Sequence, residues 1–381
     1  MFFRDFPGHT STKDYFRKIV SENRVPHALL LVGPEGYGKL SLALGLASLL
    51  QCQSPENNSA CGICSSCIKS QNLVHPDIHF AFPVIKKDDL KREDITSVNF
   101  IEDWRSFVKS NPWGNLNDWL SHINGLDKSA NINVKECHSI IKTLGLKSYE
   151  GKFKVQIIWQ AELLGKESNR LLKIIEEPSP DTIIILISNN RNAILNTIRS
   201  RCQIVSIPPF LDEDINHYLE KTTNLDDKIR NEICFIASGN MRKAIQLSAD
   251  NSLKHSEDII KWFSVGLQGD PEAIIEWIDY LASKGRQDLK SFISYGLHFL
   301  REYMLGLHTK STDGLRLSSE EKNQILKLQR IINEEKTLRL EKLLGPSIGY
   351  IDRNLSLKIL LMHLTIEMNS ILKTEVNNFV T

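Results

Sequence analysis

A glycine-rich stretch of eight residues, GPEGYGKL at positions 33–40, constrains the fold of this chain more than any other feature. It follows the apolar run HALLLVG (27–33), which has the length of a buried strand, and it opens the apolar segment KLSLALGLASLL (39–50), which predicts a deeply buried helix. A strand, a glycine loop and a helix in this order are typical of a phosphate-binding loop, or P-loop, in which backbone amides and the helix dipole hold phosphates. A glycine-rich turn without a ligand is the alternative, and this context disfavours it.

The loop contains most of the residues that a nucleotide site requires, but not all of them. Its candidate nucleotide-binding residues are Gly33, Gly36, Gly38 and Lys39. Leu40 stands where an active loop carries a Ser or Thr, whose hydroxyl binds Mg²⁺. Ser41 follows at once, but one helical step turns its side chain by about 100° away from that position. The sequence therefore predicts a phosphate cradle that lacks its metal ligand.

The acidic pair that completes an ATPase site is also missing from its expected place. That pair should follow the apolar residues of a later strand, and the candidate strand is KVQIIW (154–159). Trp159 and Gln160 occupy the two acidic positions, and Glu162 lies too far along the chain to replace both. We therefore expect a P-loop fold that does not hydrolyse ATP by itself. The sequence leaves open whether the loop still binds ATP.

Strands and helices alternate through the first half of the chain, and helices alone follow. The apolar runs of strand length lie at 27–33, 154–159, 181–188 and 201–207. Their alternation with helical patterns predicts βαβ units and a parallel sheet. After Pro208 only amphipathic helical patterns follow. The predicted architecture is an α/β domain at 1–208, a small helical lid at 209–255 and an all-α bundle at 256–381.

Residues 84–130 fit neither pattern, and we expect a partly ordered insertion that caps the sheet. A charge run near its start, KKDDLKRED, is typical of a solvated loop. Trp104, Trp113 and Trp119 follow among Asn, Pro and Gly residues. We interpret these tryptophans as hydrophobic anchors of the insertion, with a partner surface as the less favoured alternative.

Four of the seven cysteines are clustered in a pattern that predicts a metal module at about 51–68. Cys52, Cys61, Cys64 and Cys67 have the spacing C-x8-C-x2-C-x2-C. Four thiolates form the closed tetrahedral shell that a structural zinc prefers, and a reducing cytoplasm disfavours disulfides. The spacing alone leaves an iron–sulfur cluster open. His75 is a spare candidate ligand that we assign to the following turn.

Composition and charge narrow the class of protein. Lys and Arg number 47 against 46 Asp and Glu, so no global basic field attracts nucleic acid. The hydrophobic share of 41% and the charged share of 24% are those of an ordinary soluble protein. No apolar run approaches the roughly 20 residues of a membrane helix, and the N-terminus lacks a signal-peptide pattern. We expect a cytoplasmic protein.

Several segments, taken in order, resemble one protein family. They are RVPHALLLVGPEGYGK (24–39), the four-cysteine cluster, SNRLLKIIEEPSPDTIIILIS (168–188), IRSRCQ (198–203), GNMRKA (239–244) and DRNLSLKILLMHL (352–364). Their order and spacing are similar to those of the delta-prime subunits of bacterial DNA polymerase III clamp loaders, which belong to the AAA+ class. The resemblance covers most of the chain apart from residues 84–130.

This resemblance implies a subunit that assists an ATPase without being one. In such clamp loaders five subunits form an open ring through C-terminal collars, here residues 256–381, and each ATP lies between neighbours. Arg201, in the Ser-Arg-Cys motif, would reach the ATP of a neighbouring subunit as an arginine finger; pairing with a surface carboxylate is the alternative. Arg242 matches the arginine that senses nucleotide in active relatives, and an intramolecular salt bridge is equally open.

The resemblance also implies cofactors and partners. It points to structural zinc at the four cysteines. The implied partners are an ATPase motor subunit, a delta-type subunit and, through the assembled complex, primed DNA and the sliding clamp.

Three functions compete at this point. The first is the non-hydrolysing clamp-loader subunit, and the second is an active AAA+ ATPase with an unusual metal site that uses Glu162. The third is a stand-alone nucleic-acid-binding zinc protein. Leu40, Trp159 and Gln160 argue against the second function, and the near-zero net charge argues against the third.

Overall fold

The computed structural model describes residues 2–56, 58–86, 95–126, 128–249, 253–312, 314–317, 319–329, 331–352 and 355–373. The chain folds as two compact units, Met1–Leu225 with Ala237–Ile245, and Asp226–Ile236 with Gln246–Thr381. Most of the predicted charge run, 87–94, lies outside the described residues. Within the described ranges, no helix is long and apolar enough to cross a bilayer. The boundaries of the lid and of the C-terminal domain stay predictions.

A parallel sheet of five described strands lies at the centre of the first unit. The strands are β1 (Ala28–Val32), β2 (Ile78–Ala81), β3 (Lys154–Trp159), β4 (Thr182–Ser188) and β5 (Gln203–Ser206). Their order across the sheet is β2-β3-β4-β1-β5, and all pairings are parallel. The three central strands are almost wholly buried, as their continuous apolar runs predict. Strand β2 is not predicted by the sequence pattern, because its run IHFA has only four residues.

Helices flank this sheet and carry the loops of the candidate site. In chain order the helices up to residue 249 are α1 (Thr10–Ser21), α2 (Lys39–Gln51), α3 (Ser65–Gln71), α4 (Ile101–Ser110), α5 (Leu116–His122), α6 (Val134–Gly145), α7 (Leu172–Glu176), α8 (Asn196–Arg199), α9 (Asp212–Thr222), α10 (Asp227–Ala237) and α11 (Met241–Ala249). Of these, α10 belongs to the second unit except for its last residue, and α11 is divided between the two units. Further 3-10 helices lie at Ser97–Phe100, Ala161–Leu171 and Arg191–Ala193. Helix α6 and the segment Ala161–Leu171 share an apolar core with the sheet.

The sequence pattern SNRLLKIIEEP (168–178) predicts a single helix that ends at Pro178, and this prediction is wrong in its extent. Residues up to Leu171 belong to the 3-10 helix, and only Leu172–Glu176 is α-helical. Glu177 has a φ of −128° and ends the helix. Pro178 follows it, and a proline disfavours the helical conformation of the residue before it.

The tryptophans of the insertion are buried, as predicted for hydrophobic anchors. Trp104, Trp113 and Trp119 are 0%, 4% and 0% exposed. The ring of Trp104 stacks on Phe82, just after β2, with the centroids 4.3 Å apart. It also contacts Trp159 at the end of β3, with a centroid distance of 5.2 Å. The described part of the insertion is therefore anchored at the carboxyl edge of the sheet, and it includes helices α4 and α5.

The described part of the second unit beyond α11 is helical. Its helices are α12 (Leu253–Gln268), α13 (Pro271–Ser283), α14 (Arg286–Thr309), α15 (Ser319–Leu328), α16 (Glu334–Leu344), α17 (Ser347–Asp352) and α18 (Leu357–Lys373). They enclose one apolar core with Trp262, Phe292 and Tyr303 fully buried. The sequence pattern over 319–344 predicts one continuous helix, and this prediction is wrong. Asn333 caps a new helix by accepting a hydrogen bond from the Lys336 amide at 3.0 Å.

Candidate functional site

The glycine loop connects β1 to α2 in the arrangement that the sequence predicts. Gly36 and Gly38 have φ angles of 75° and 73°, a region that favours glycine. A side chain at Gly36 would also collide with the amide oxygen of Asn240. Helix α2 begins at Lys39, so the free amides at its start face the loop.

The ammonium group of Lys39 is bound by the backbone of its own loop. Its Nζ donates to the carbonyl oxygens of Gly33 and, at 2.6 Å, of Pro34. Burial lowers the pKa of Lys39 to about 8, although the nearby carboxylates of Glu162 and Glu35 act to raise it. The cation that contacts phosphate in an active loop is therefore engaged inside this one.

Residues of the insertion lie directly over the glycine loop. Ser41 Oγ donates to the carbonyl oxygen of Pro112 at 3.3 Å, and Asn115 Nδ2 donates to Glu35 Oε2 at 2.7 Å. A cavity of only about 20 Å³ remains between the loop, this part of the insertion and the ends of β3 and β4. The insertion thus occupies space that the sequence pattern assigns to a ligand.

The end of β3 carries amide and aromatic groups at the positions of an acidic pair. Trp159 is 3% exposed, and Gln160 Oε1 accepts a hydrogen bond from Asn189 Nδ2 at 2.9 Å. Glu162 Oε1 accepts from the Asn189 amide at 3.2 Å. Glu162 is therefore a single carboxylate that already has a backbone partner.

Arg242, near the start of α11, is held by a carboxylate of the insertion. Its Nε and Nη2 donate to Oδ2 and Oδ1 of Asp118 at 2.5 and 2.7 Å, and both side chains are 21% exposed. Burial acts to raise the pKa of Asp118, but hydrogen bonds from Arg242 and from the Asn115 amide outweigh it and keep this pKa below its ordinary value. The intramolecular salt bridge considered for Arg242 is present, and a role toward nucleotide stays a prediction.

Arg201 follows α8, and its side chain is 35% exposed. Its Nε lies 3.1 Å from Oε2 of Glu176, and its Nη1 donates to the carbonyl oxygen of Thr197 at 2.9 Å. The guanidinium is thus oriented by two neighbours and remains accessible to solvent. The surface ion pair considered as the alternative is present, and a role in trans stays a prediction.

The four cysteines of the predicted metal module are brought together. The Sγ atoms of Cys52, Cys61, Cys64 and Cys67 all lie within 4.8 Å of one another. The amides of Cys61, Cys64 and Cys67 each donate to the preceding cysteine sulfur of the set, at 3.3 to 3.4 Å. The amides of Ile63 and Cys64 lower the pKa of the Cys61 thiol. Four convergent sulfurs supported by amide donors can hold a metal ion.

His75 is not one of the converging ligands and instead organises the turn that follows. Its Nε2 lies 3.1 Å from Ser66 Oγ, and its Nδ1 accepts a hydrogen bond from the Asp77 amide at 3.1 Å. Asp77 in turn accepts hydrogen bonds from the amides of Glu150 and Gly151 at 2.9 and 2.7 Å. This geometry agrees with the assignment of His75 to the turn.

Three residues that contact the glycine loop or Arg242 are not identified from the sequence: Asn115, Asp118 and Asn240. Asn115 and Asp118 form a capping box, a pattern that indicates the start of α5. No local pattern indicates that the same side chains bind Glu35 and Arg242, which are distant in the chain.

Comparison with known proteins shows that the chain is similar to subunits of DNA polymerase III. A family model described as DNA polymerase III, delta subunit, matches residues 8–211, more than half of the chain. DNA polymerase III subunit delta' from Bacillus subtilis is 26% identical over 276 residues, which cover 71% of this chain and 70% of that protein. The subunit delta' from Pseudomonas aeruginosa is 31% identical over 177 residues, but the match covers 46% of this chain and only 41% of that protein.

Among solved structures, a DNA polymerase III gamma subunit-related protein from Thermotoga maritima aligns with a TM-score of 0.41 and 13% identity. The alignment covers 94% of this chain and 98% of that chain.

Proposed function

The chain belongs to the DNA polymerase III delta-subunit family, and we propose that it is a non-hydrolysing subunit of the clamp loader in DNA replication. The observation that carries the proposal is Leu40, which stands in place of the metal-binding hydroxyl of the glycine loop. The insertion, which covers that loop, supports it. Trp159 and Gln160 also replace the acidic pair that would bind metal and activate water. A loop of this kind lacks the groups that phosphoryl transfer requires.

We further propose that Arg201 acts in trans on the ATP of a neighbouring subunit. A guanidinium stabilises the charge that develops on the transferred phosphoryl group. The subunit that carries this arginine need not bind a metal ion itself. In GTPases, arginine fingers increase the rate of hydrolysis by about 10³-fold to 10⁵-fold. Contacts with Glu176 and Thr197 hold the Arg201 guanidinium at the surface, where a neighbouring subunit can approach it.

We propose that the candidate nucleotide-binding residues are vestigial. They are Gly33, Gly36, Gly38, Lys39 and Arg242. Two of its side chains already have partners within the domain, since Lys39 binds loop carbonyls and Arg242 binds Asp118. A nucleotide would have to displace these partners before it could bind.

The four-cysteine module is proposed to hold one structural zinc ion. Cys52, Cys61, Cys64 and Cys67 supply four sulfur ligands, which close the coordination shell and leave no position for a substrate. The zinc would therefore stabilise the segment between α2 and α3 and take no part in a reaction.

The proposed partners follow from the family. They are an ATPase motor subunit and a delta-type subunit, joined to this chain in a cytoplasmic ring through a collar at residues 256–381. Primed DNA and the sliding clamp would be bound by the assembled complex.

An active ATPase with an unusual metal site is the second candidate, and it rests on Glu162. This carboxylate lies close enough to Lys39 to act on its pKa. It is a single acidic group that accepts a hydrogen bond from the Asn189 amide, and it follows a strand that ends in tryptophan. These contacts favour the non-hydrolysing function.

ATP turnover and complex assembly test the proposal together. The purified chain should show no Mg²⁺-dependent ATP hydrolysis above background, and it should co-purify with the motor and delta-type subunits at fixed stoichiometry. Hydrolysis by the isolated chain that is lost in Lys39→Ala would favour the active ATPase. Failure to assemble with either subunit would remove the clamp-loader function.

A further inference from the structure

We propose that residues 112–119 of the insertion, named here the occluding segment, take the place of a bound nucleotide. They close the phosphate site and join the glycine loop to Arg242. This inference goes beyond the proposed function, because it concerns one domain and depends neither on ring assembly nor on Arg201.

The first argument is the space that remains. The cavity over the glycine loop has a volume of about 20 Å³. Pockets for small-molecule ligands and cofactors measure roughly 300–1,000 Å³. The cavity over the glycine loop is far smaller and has room for about one water molecule. A nucleotide can therefore reach the loop only if the occluding segment leaves.

The second argument is that Trp113 holds the segment in place by aromatic packing. Its ring lies edge-on to Phe210 and to Phe6, with centroids 5.5 and 6.1 Å away. A Cβ atom at Gly38 would lie 3.1 Å from the Trp113 ring, so the ring packs directly on the loop. Displacing the segment would expose this large apolar side chain to water, which is unfavourable.

The third argument is the polar contact that Asn115 makes with the loop. Its Oδ1 accepts a hydrogen bond from the Asp118 amide at 3.0 Å and so caps α5. Its Nδ2 donates to Glu35 of the glycine loop at 2.7 Å. One side chain thus fixes both the start of a helix in the insertion and its position on the loop.

The fourth argument is the charge that Asp118 presents to Arg242. A carboxylate with two hydrogen bonds to the guanidinium supplies the negative charge that a phosphate would otherwise offer. The segment before α11 is also joined to the loop, because the Met241 amide donates to the Gly36 carbonyl at 3.1 Å. The occluding segment therefore joins the two places that the family resemblance assigns to nucleotide.

Hydrogen–deuterium exchange of the full chain tests this inference at both places. In the wild type, millimolar MgATP or ADP should leave the exchange of residues 33–42 and 239–245 unchanged. Without nucleotide, Asp118→Asn should increase exchange in both segments by about tenfold, because it breaks the link that the occluding segment makes between them and leaves only the hydrogen bond from Met241 to Gly36. Arg242→Gln removes the same link from the other side and should give the same pattern. Asp103→Asn, an exposed acidic residue on α4 of the same insertion, is the matched control and should exchange as the wild type does.

Each outcome decides the question. Protection of residues 33–42 by nucleotide in the wild type would show an open site and overturn the inference. Unchanged exchange in both Asp118→Asn and Arg242→Gln, or an increase confined to one of the two segments, would show that the ion pair does not join them. All of these readouts are independent of ring assembly, so their failure is distinct from failure of the clamp-loader function.

Discussion

Asp118 and Arg242 form an ion pair with two hydrogen bonds between the insertion and α11, with Nε 2.5 Å from Oδ2 and Nη2 2.7 Å from Oδ1. The pair joins residues 124 positions apart in the chain, and each side chain is only 21% exposed. Arg242 therefore has its charge partner within the same domain.

The first prediction concerns the energy of this pair. Asp118→Asn and Arg242→Gln should each lower the free energy of unfolding by about 1–3 kcal/mol, because each leaves a partly buried charge without its partner. In a double-mutant cycle the two losses should not add, with a coupling energy of about 1–2 kcal/mol. Urea unfolding followed by circular dichroism measures both quantities.

The control for this cycle is the pair of Asp279 on α13 and Lys358 on α18, whose side chains are 54% and 65% exposed. Solvent-exposed pairs contribute about 0–1 kcal/mol, so the equivalent substitutions there should show little coupling. If the losses in free energy of unfolding at Asp118 and Arg242 are additive, the hydrogen bonds between these two side chains contribute nothing to stability.

The second prediction concerns the anchoring of the insertion by Trp104. Trp104→Ala should lower the free energy of unfolding by about 3–5 kcal/mol, because it leaves a cavity beside Phe82 and Trp159. Tyr149→Ala, at an 83% exposed position, should change it by less than about 0.5 kcal/mol. Equal effects of the two substitutions in thermal unfolding would argue against a packed insertion.

The third prediction concerns the metal content of the cysteine module. The purified chain should contain one zinc per molecule by elemental analysis, and a strong chelator should lower its melting temperature. Cys64→Ser should lose the zinc, whereas Cys202→Ser, outside the cluster, should retain it. Iron in place of zinc, or no metal in fresh protein, would contradict the proposed cofactor.

The fourth prediction concerns the effect of His9 on the stability of the protein in acid. The centroid of the His9 ring lies 4.1 Å from the centroid of the Phe210 ring. Burial lowers the pKa of His9 to about 4, although a hydrogen bond with the Tyr37 backbone acts to raise it. An unfolded histidine titrates near 6.5, so the unfolded chain binds more protons between about pH 4 and 6.5. The free energy of unfolding should therefore decrease as the pH falls through this window. His9 alone should account for a decrease of about 3 kcal/mol.

His9→Gln should flatten the dependence of unfolding free energy on pH in that window. A slope that is the same in His9→Gln and in the wild type would show that His9 does not titrate as its burial implies.

The sequence predicts the parts of this fold that local patterns determine. The glycine loop, the buried runs of β1, β3 and β4 and most helices follow from apolar periodicity and from glycine and proline signals. Strand β2 is missed because four residues are too few to show a period. The break between α15 and α16 is missed because the sequence between them, from Gln329 to Asn333, contains no Gly or Pro to indicate it.

The candidate site shows the same division between local and distant information. The cysteine cluster is predicted because its four thiols are close in sequence, and Leu40 is recognised because it stands where an active P-loop carries Ser or Thr. The pairing of Asp118 with Arg242 is not visible, because it depends on how the insertion folds over the loop. The sequence predicts a degenerate glycine loop, but only the three-dimensional structure shows which residues lie over the loop.

The most direct test of the account is DNA-stimulated ATP hydrolysis by a clamp loader reconstituted with variants of Arg201. Arg201→Ala should assemble normally and lower turnover at the ATP site that it serves by at least about tenfold, because the transferred phosphoryl group loses a stabilising charge. Arg199→Ala is the matched control, since Arg199 lies in the same motif and donates to Asn192 and Asn196 on its own surface. Turnover that is reduced by Arg201→Ala and not by Arg199→Ala is the predicted result; unchanged turnover in an intact Arg201→Ala complex would contradict the account.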